Sequence, residues 1–150
     1  MKKIVAALVG LFFLVNANSQ VKDPVSWTFS SIKRAPGIYE IVIAADVPSP
    51  WHMYSMNTPK GGPVPTAVVF KMNPLITKQG KLKEKGNLET VNDKVFGVKV
   101  LYFGGKVEYS QIVKVKGGIS TNISGTVAFM VCDEKQCLPP TKKTFDIKLQ

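Results

Sequence analysis

The chain has 150 residues with 20 Lys+Arg against 10 Asp+Glu, a formal net charge of +10. That length suits one domain with its own core, and 45% hydrophobic against 20% charged residues argues against disorder. One His and two Cys cannot make a four-ligand Cys/His zinc site, and no P-loop, G-x-G-x-x-G, H-E-x-x-H or G-x-S-x-G stretch occurs, so most familiar enzyme chemistries are excluded.

Residues 1–19 read as a secretory signal peptide. Lys2 and Lys3 precede an apolar run from Ile4 to Val15, and small residues at Ala17 and Ser19 offer cleavage positions. A dozen apolar residues fall short of the roughly 20 needed to cross a bilayer, so the remaining chain, residues 20–150, is expected to be exported, not membrane-spanning, and a single domain. Loss of the two leader lysines lowers the net charge from +10 to +8. The remaining charged residues alternate with apolar ones, as in Lys106, Glu108, Lys114 and Lys116. The one local cluster, Lys78 to Lys85, contains no aromatic residue on which a base could stack. The charge therefore predicts a solvated lysine-rich surface and no nucleic-acid partner, with weak attraction to an anionic membrane or acidic partner as the lesser reading.

The period of the mature chain is two. Val25, Trp27 and Phe29 share a face; so do Tyr39, Ile41 and Ile43. Val107, Tyr109, Gln111, Val113 and Val115 alternate with Lys106, Glu108, Ser110, Ile112 and Lys114; Val127, Phe129 and Val131 share a face; and Phe145, Ile147 and Leu149 lie opposite Thr144, Asp146 and Lys148. These are half-buried strands. Gly104-Gly105 and Gly117-Gly118 are expected as turns flanking a 106–116 strand. No amphipathic helix of useful length is present. Seven to nine strands in about 130 residues predict an all-β, antiparallel, immunoglobulin-like β-sandwich, with a barrel as the alternative. Pro48 to Pro65 is too long for a hairpin connection and reads as strand plus functional loop or as a structured edge.

Cys132 and Cys137 are the only cysteines. In an exported chain they can pair if Asp133 to Gln136 reverse direction. Closing so short a loop returns only about 2 kcal/mol of unfolded-state entropy, against roughly 4 kcal/mol for a loop of some 60 residues. The small return and the position at a turn leave two readings open, a structural staple and a redox pair. Asp133 and Glu134 would raise a thiol pKa and Lys135 only partly offsets them, which fits a disulfide that a more reactive thiolate attacks. His52 with Met53 and Met56 raises copper, but alternation places His52 and Met53 on opposite faces, so no metal or other cofactor is expected. Asn122-Ile-Ser124 matches a glycosylation sequon and is read as chance.

The stretch from Val131 to Pro140, with its Cys-Leu-Pro-Pro ending, resembles the N-terminal periplasmic domain of the thiol:disulfide interchange protein DsbD family. Trp51-His-Met-Tyr54 resembles that family's aromatic strand beside the site, and Asp93-Lys-Val-Phe-Gly97 its cap loop. The resemblance covers nearly all of the mature chain. It implies an immunoglobulin-like domain with one redox disulfide, acting as a protein thiol–disulfide oxidoreductase, with cytochrome c biogenesis among the associated processes. The implied electron donor is a thioredoxin-like domain or membrane-embedded thiol reductase acting in trans, and the acceptors are exported disulfide-containing proteins. Residue by residue, Cys137 would form the mixed disulfide and Cys132 would resolve it. Val95 and Phe96 would cap the pair, Asp93 would modulate the thiols as an acid/base group, and Tyr54 and His52 would line the site. The spacing of the cysteines is one residue shorter than in the best-known members, and Val95 stands where the leading cap aromatic is usual. The competing expectation, from the residues alone, is a non-catalytic immunoglobulin-like binding or accessory module with a structural disulfide.

Overall fold

Alternation of apolar and polar side chains becomes nine strands in the computed structural model, which describes residues 23–94 and 96–150. The proposed signal peptide, residues 1–19, lies outside the described residues, and so does Val95. The strands are β1 (Ser26–Ala35), β2 (Ile38–Val47), β3 (His52–Tyr54), β4 (Ala67–Phe70), β5 (Ile76–Asp93), β6 (Val98–Val115), β7 (Thr121–Phe129), β8 (Val131–Cys132) and β9 (Thr141–Leu149). No α-helix occurs among the described residues, only a 3-10 turn at Lys116–Gly118.

Two antiparallel sheets form. The larger runs β1-β2-β6-β3-β8, with β5 paired along the other edge of β6; the smaller runs β4-β7-β9. Their inner faces meet. Ile41, Ile43, Val47, Val107, Tyr109 and Val113 from the large sheet pack in one cluster with Ile123, Phe129, Phe145, Ile147 and Leu149 from the small one. Trp27 lies 5.0 Å from Phe129 and Phe29 lies 5.4 Å from Phe145, ring centre to ring centre, so aromatic side chains bridge the sheets. This is the expected sandwich, not a barrel. The period-two segments become strands because each has one wet face and one buried face, except that Val131 does not continue the strand of Val127 and Phe129: β7 ends at Phe129 in the small sheet, and Val131 opens β8 in the large one.

The glycine pair at 104–105 does not end a strand. β6 continues through it from Val98 to Val115. Gly105 takes φ +73°, but the freedom serves a bulge: opposite the step from Gly86 to Leu88 on β5, β6 advances from Val107 to Phe103. At the same place the other edge of β6 changes partner, from β2 at Val47–Gly105 to β3 at Met53–Phe103. Gly117 and Gly118, at φ +64° and +62°, do make the expected turn. The basic cluster Lys78–Lys85 lies within β5, with its own bulge between Gln79 and Lys83. There buried Gln111 donates from Nε2 to the Gln79 carbonyl at 2.9 Å.

Candidate redox site

The Pro48–Pro65 stretch contributes the short β3, which is wedged between β6 and β8. Met53 pairs with Phe103 on one side and Val131 on the other, and all three join the inter-sheet core. Their neighbours point the opposite way. His52 stands opposite Cys132, and Tyr54 opposite Tyr102, so these four side chains occupy the outer face of the large sheet. The same alternation separates His52 from Met53, as the sequence requires, and no group of three or more His, Cys, Asp or Glu among the described residues is placed to hold a metal.

Cys132 and Cys137 are joined by a disulfide with their Cα atoms 4.0 Å apart. The loop between them is a tight reversal. Leu138 N–H donates to the Val131 carbonyl and Asp133 N–H to the Gln136 carbonyl, each at 2.9 Å. Oδ1 of Asp133 accepts from the backbone N–H of Lys135 and Gln136, both at 2.8 Å, which is how an Asp stabilises a turn two and three residues on. The two sulfurs differ in surroundings. Cys132 is 2% exposed, packed with Tyr54 and Val100, whereas Cys137 is half-buried at the margin of the same cluster.

The tip of the β5–β6 hairpin adds Val91, Phe96 and Val98 to that cluster, beside Tyr102 and Met130. Asp93 shapes the tip. Its Oδ1 accepts Phe96 N–H at 3.1 Å, its carbonyl accepts Gly97 N–H at 2.8 Å, and its Oδ2 accepts the Tyr54 hydroxyl at 3.3 Å. Gly97 takes φ +68°, a conformation that disfavours any side chain here. Phe96 meets the Tyr54 ring edge to face at 6.4 Å. Asp93 is thus at once a turn residue, as an Asp following Asn commonly is, and a group that touches Tyr54 at the site.

His52 lies with Nε2 3.4 Å from the Tyr54 hydroxyl and its ring 4.4 Å from that of Tyr102. Burial pulls the His52 pKa below its usual 6.5, against the opposing pull of Asp93, Asp133 and Glu89. Burial likewise pushes the Tyr54 hydroxyl up, and the Asp93 carboxylate adds to the effect, so Tyr54 stays a proton donor at neutral pH. Cys132, Cys137, Asp93, Phe96, Tyr54 and His52 are therefore brought together; Val95 lies outside the described residues.

Tyr102, Val98 and Val100 were not singled out from the sequence. Val98-Lys-Val-Leu-Tyr102 does alternate, and this was the available signal. Tyr102 donates to Glu89 at 3.2 Å, which ties β6 to β5 beside His52. Deeper anchoring comes from Glu84 on β5, which accepts from Met56 N–H at 3.0 Å and Asn57 Nδ2 at 2.6 Å and so fixes the chain leaving β3.

Among curated proteins no sequence matches this chain. Two solved structures share its fold. The N-terminal periplasmic domain of ScsB from Proteus mirabilis is 15% identical with a TM-score of 0.56; the match covers 81% of this chain and 44% of that one. The DsbD N-terminal domain from Neisseria meningitidis, in the reduced form, is 14% identical with a TM-score of 0.52, covering 81% of this chain and 83% of that one. This chain thus spans less than half the length of the ScsB chain it resembles. The family described as "Thiol:disulfide interchange protein DsbD, N-terminal" matches residues 20–149, and the chain, with its cysteine pair on the outer face of an immunoglobulin-like sandwich, belongs to that family.

Proposed function

We propose that the protein is a periplasmic thiol–disulfide exchange module that relays electrons through Cys132 and Cys137. The observation that carries this reading is the asymmetry of the pair: Cys132 is 2% exposed under Tyr54 and Val100, while Cys137 remains half-buried at the edge. A structural staple needs no such difference, whereas exchange requires one sulfur that a partner can reach and one that it cannot.

In the reducing half, a donor thiolate attacks Sγ of Cys137 once the Phe96 tip moves aside. The Cys137–donor disulfide forms, the Cys132–Cys137 bond breaks, and Cys132 leaves as a thiolate that takes up a proton. The donor's second thiolate then attacks its own sulfur in the mixed disulfide, leaving the donor oxidised and the pair reduced. In the delivering half, the Cys137 thiolate attacks an exported protein's disulfide. Cys132 resolves the adduct, restoring the intramolecular bond and releasing the client as a dithiol. Tyr54, whose hydroxyl donates to the Asp93 carboxylate, packs beside Cys132. A thioredoxin-like domain or a membrane-embedded thiol reductase suits the donor role, and residues 1–19 serve as the export signal.

Trapping tests the assignment. Cys132→Ser, in its reduced form, should accumulate long-lived mixed disulfides through Cys137, and Cys137→Ser should accumulate none. Equal trapping by both variants would overturn the roles, and full biological activity of the double Ser variant would move the protein to the binding-module reading.

A further inference from the structure

The end of the sandwich opposite the cysteines has a chemistry of its own. β6 runs 18 residues from the β5–β6 turn to this end, at most roughly 56 Å at about 3.3 Å per residue. Two connections meet there: Lys71 to Leu75, between β4 and β5, and Lys116 to Ser120, between β6 and β7. They are stitched together. Lys116 N–H donates to the Leu75 carbonyl at 2.9 Å, and Asn73 Nδ2 donates to Thr121 Oγ1 at 3.1 Å and to the Asn122 carbonyl at 2.8 Å.

This braced double loop presents apolar side chains to water. Met72 is 98% exposed and Ile119 55% exposed. Beside Met72 lies a shallow cavity of about 250 Å³ with Phe70, Ile76 and Ile123 in its wall and Lys71 and Lys78 on its rim. Neither connection contains a carboxylate, and Lys71 and Lys116 are exposed. Glu40 and Asp146, on strands that reach this end, are engaged by Arg34 and Asn122. Ammonium groups ringing protruding apolar tips are what an interfacial site on an anionic bilayer needs: headgroup phosphates for the lysines, and the acyl boundary for Met72 and Ile119.

We propose that the 71–75 and 116–120 connections form a docking surface for an anionic phospholipid bilayer. Bound this way, the domain stands with its cysteine end directed away from the lipid, where exchange partners reach it. The charge supplies the attraction, and the fixed loops insert without a cost of ordering. The surface is independent of the redox reading, since none of its residues contacts the cysteine pair.

The test is sedimentation of residues 20–150, which carry the whole described core, with vesicles of phosphatidylglycerol and phosphatidylcholine in equal parts or of phosphatidylcholine alone. Leaving out residues 1–19 removes an apolar segment that would bind any bilayer. Binding is expected only to the anionic vesicles and should fall as salt is raised. Lys71→Gln with Lys116→Gln should weaken it about 30-fold, from roughly one unit of headgroup attraction per lysine. Met72→Ser with Ile119→Ser should weaken it about tenfold or more. Both double variants should keep the far-ultraviolet circular dichroism and the mixed-disulfide trapping of the parent. Absence of binding, equal binding to both vesicle types, or binding unchanged in either double variant overturns the proposal.

Discussion

Tyr54 and Asp93, 39 positions apart, meet through a hydrogen bond from the tyrosine hydroxyl to Oδ2 at 3.3 Å, and this contact ties the cap turn to the strand that carries the site. The same carboxylate holds Phe96 N–H through its other oxygen, so one side chain sets both the shape of the β5–β6 turn, the proposed cap, and its contact with Tyr54. Asp93→Ala removes both bonds at once. Each is worth about 0.5–1.5 kcal/mol, enough together to populate open caps severalfold more often. The expected result is faster reduction of Cys132–Cys137 by a small dithiol, with Tyr54→Phe giving a smaller acceleration in the same direction. Stopped-flow or quenched-sample kinetics read this directly, and unchanged rates in both variants would remove Asp93 from the cap.

Phe96 should behave as a lid and not as core. Its ring packs on Tyr54 at the margin of the cluster that holds the cysteines, and none of the inter-sheet core depends on it. Phe96→Ala is therefore expected to lower stability by no more than about 2 kcal/mol, below the 3–5 typical of a core aromatic. Reoxidation of the reduced pair by small oxidants should accelerate in parallel. A core-sized loss in urea titration would show the ring to be structural.

His52 gives the domain a pH dependence with a known sign. It is the only histidine in the chain, so titration near neutrality belongs to it alone among the side chains with ordinary values there. Its folded pKa lies below the unfolded 6.5, so the unfolded state binds the proton first as pH falls. Stability is then full above about 6.5 and declines as pH drops from there through the lowered folded value. Urea titrations between pH 7.5 and about 5.5 should show this slope, and His52→Gln should flatten it. A slope that survives the substitution would place its origin elsewhere.

Legibility in the sequence followed the burial of each strand's two faces. Val107 to Val115 and Phe145 to Leu149 could be read because one face is dry and the other wet. β5 could not: most of its residues are exposed on both sides, as expected of an edge strand whose lysines discourage further pairing, and so Lys78–Lys85 looked like a charge cluster. Gly104-Gly105 signalled positive φ correctly, but positive φ serves bulges as well as reversals. At the site, the cysteines stood out by residue type and spacing, whereas Tyr54, His52, Asp93 and Phe96 entered through the resemblance to the DsbD N-terminal family. Val100 and Tyr102 did neither, because their role depends on which face of β6 turns outward before the bulge, and only the pairing with β3 settles that.

In the small sheet, Gly125 is required by a close approach of chains. A Cβ there would lie 2.3 Å from the Val69 carbonyl oxygen and 2.6 Å from Cζ of Phe145, both closer than atoms tolerate. Val69 belongs to the neighbouring strand and Phe145 to the aromatic bridge between sheets, so neither moves freely. Gly125→Ala should cost about 1–3 kcal/mol, the range for overpacking, while leaving cysteine exchange rates intact in the folded fraction. Thermal melts with and without reductant measure both halves of that statement.

The reduction potential of the pair follows from how little the loop it closes matters. Six residues from Cys132 to Cys137 hold back about 2 kcal/mol of unfolded-chain entropy, and a loop of some 60 residues would hold back roughly 4. Breaking the bond therefore forfeits little of the stability of the fold. The turn is also braced without the sulfurs, by the Asp133 carboxylate and two backbone bonds, so reduction should leave the fold in place. Equilibration of residues 20–150 against a thiol buffer is expected to give about −200 to −270 mV, the range in which exchange proteins both accept and donate electrons. A value below about −300 mV would mark a bond too stable to turn over, and the relay would give way to a structural disulfide.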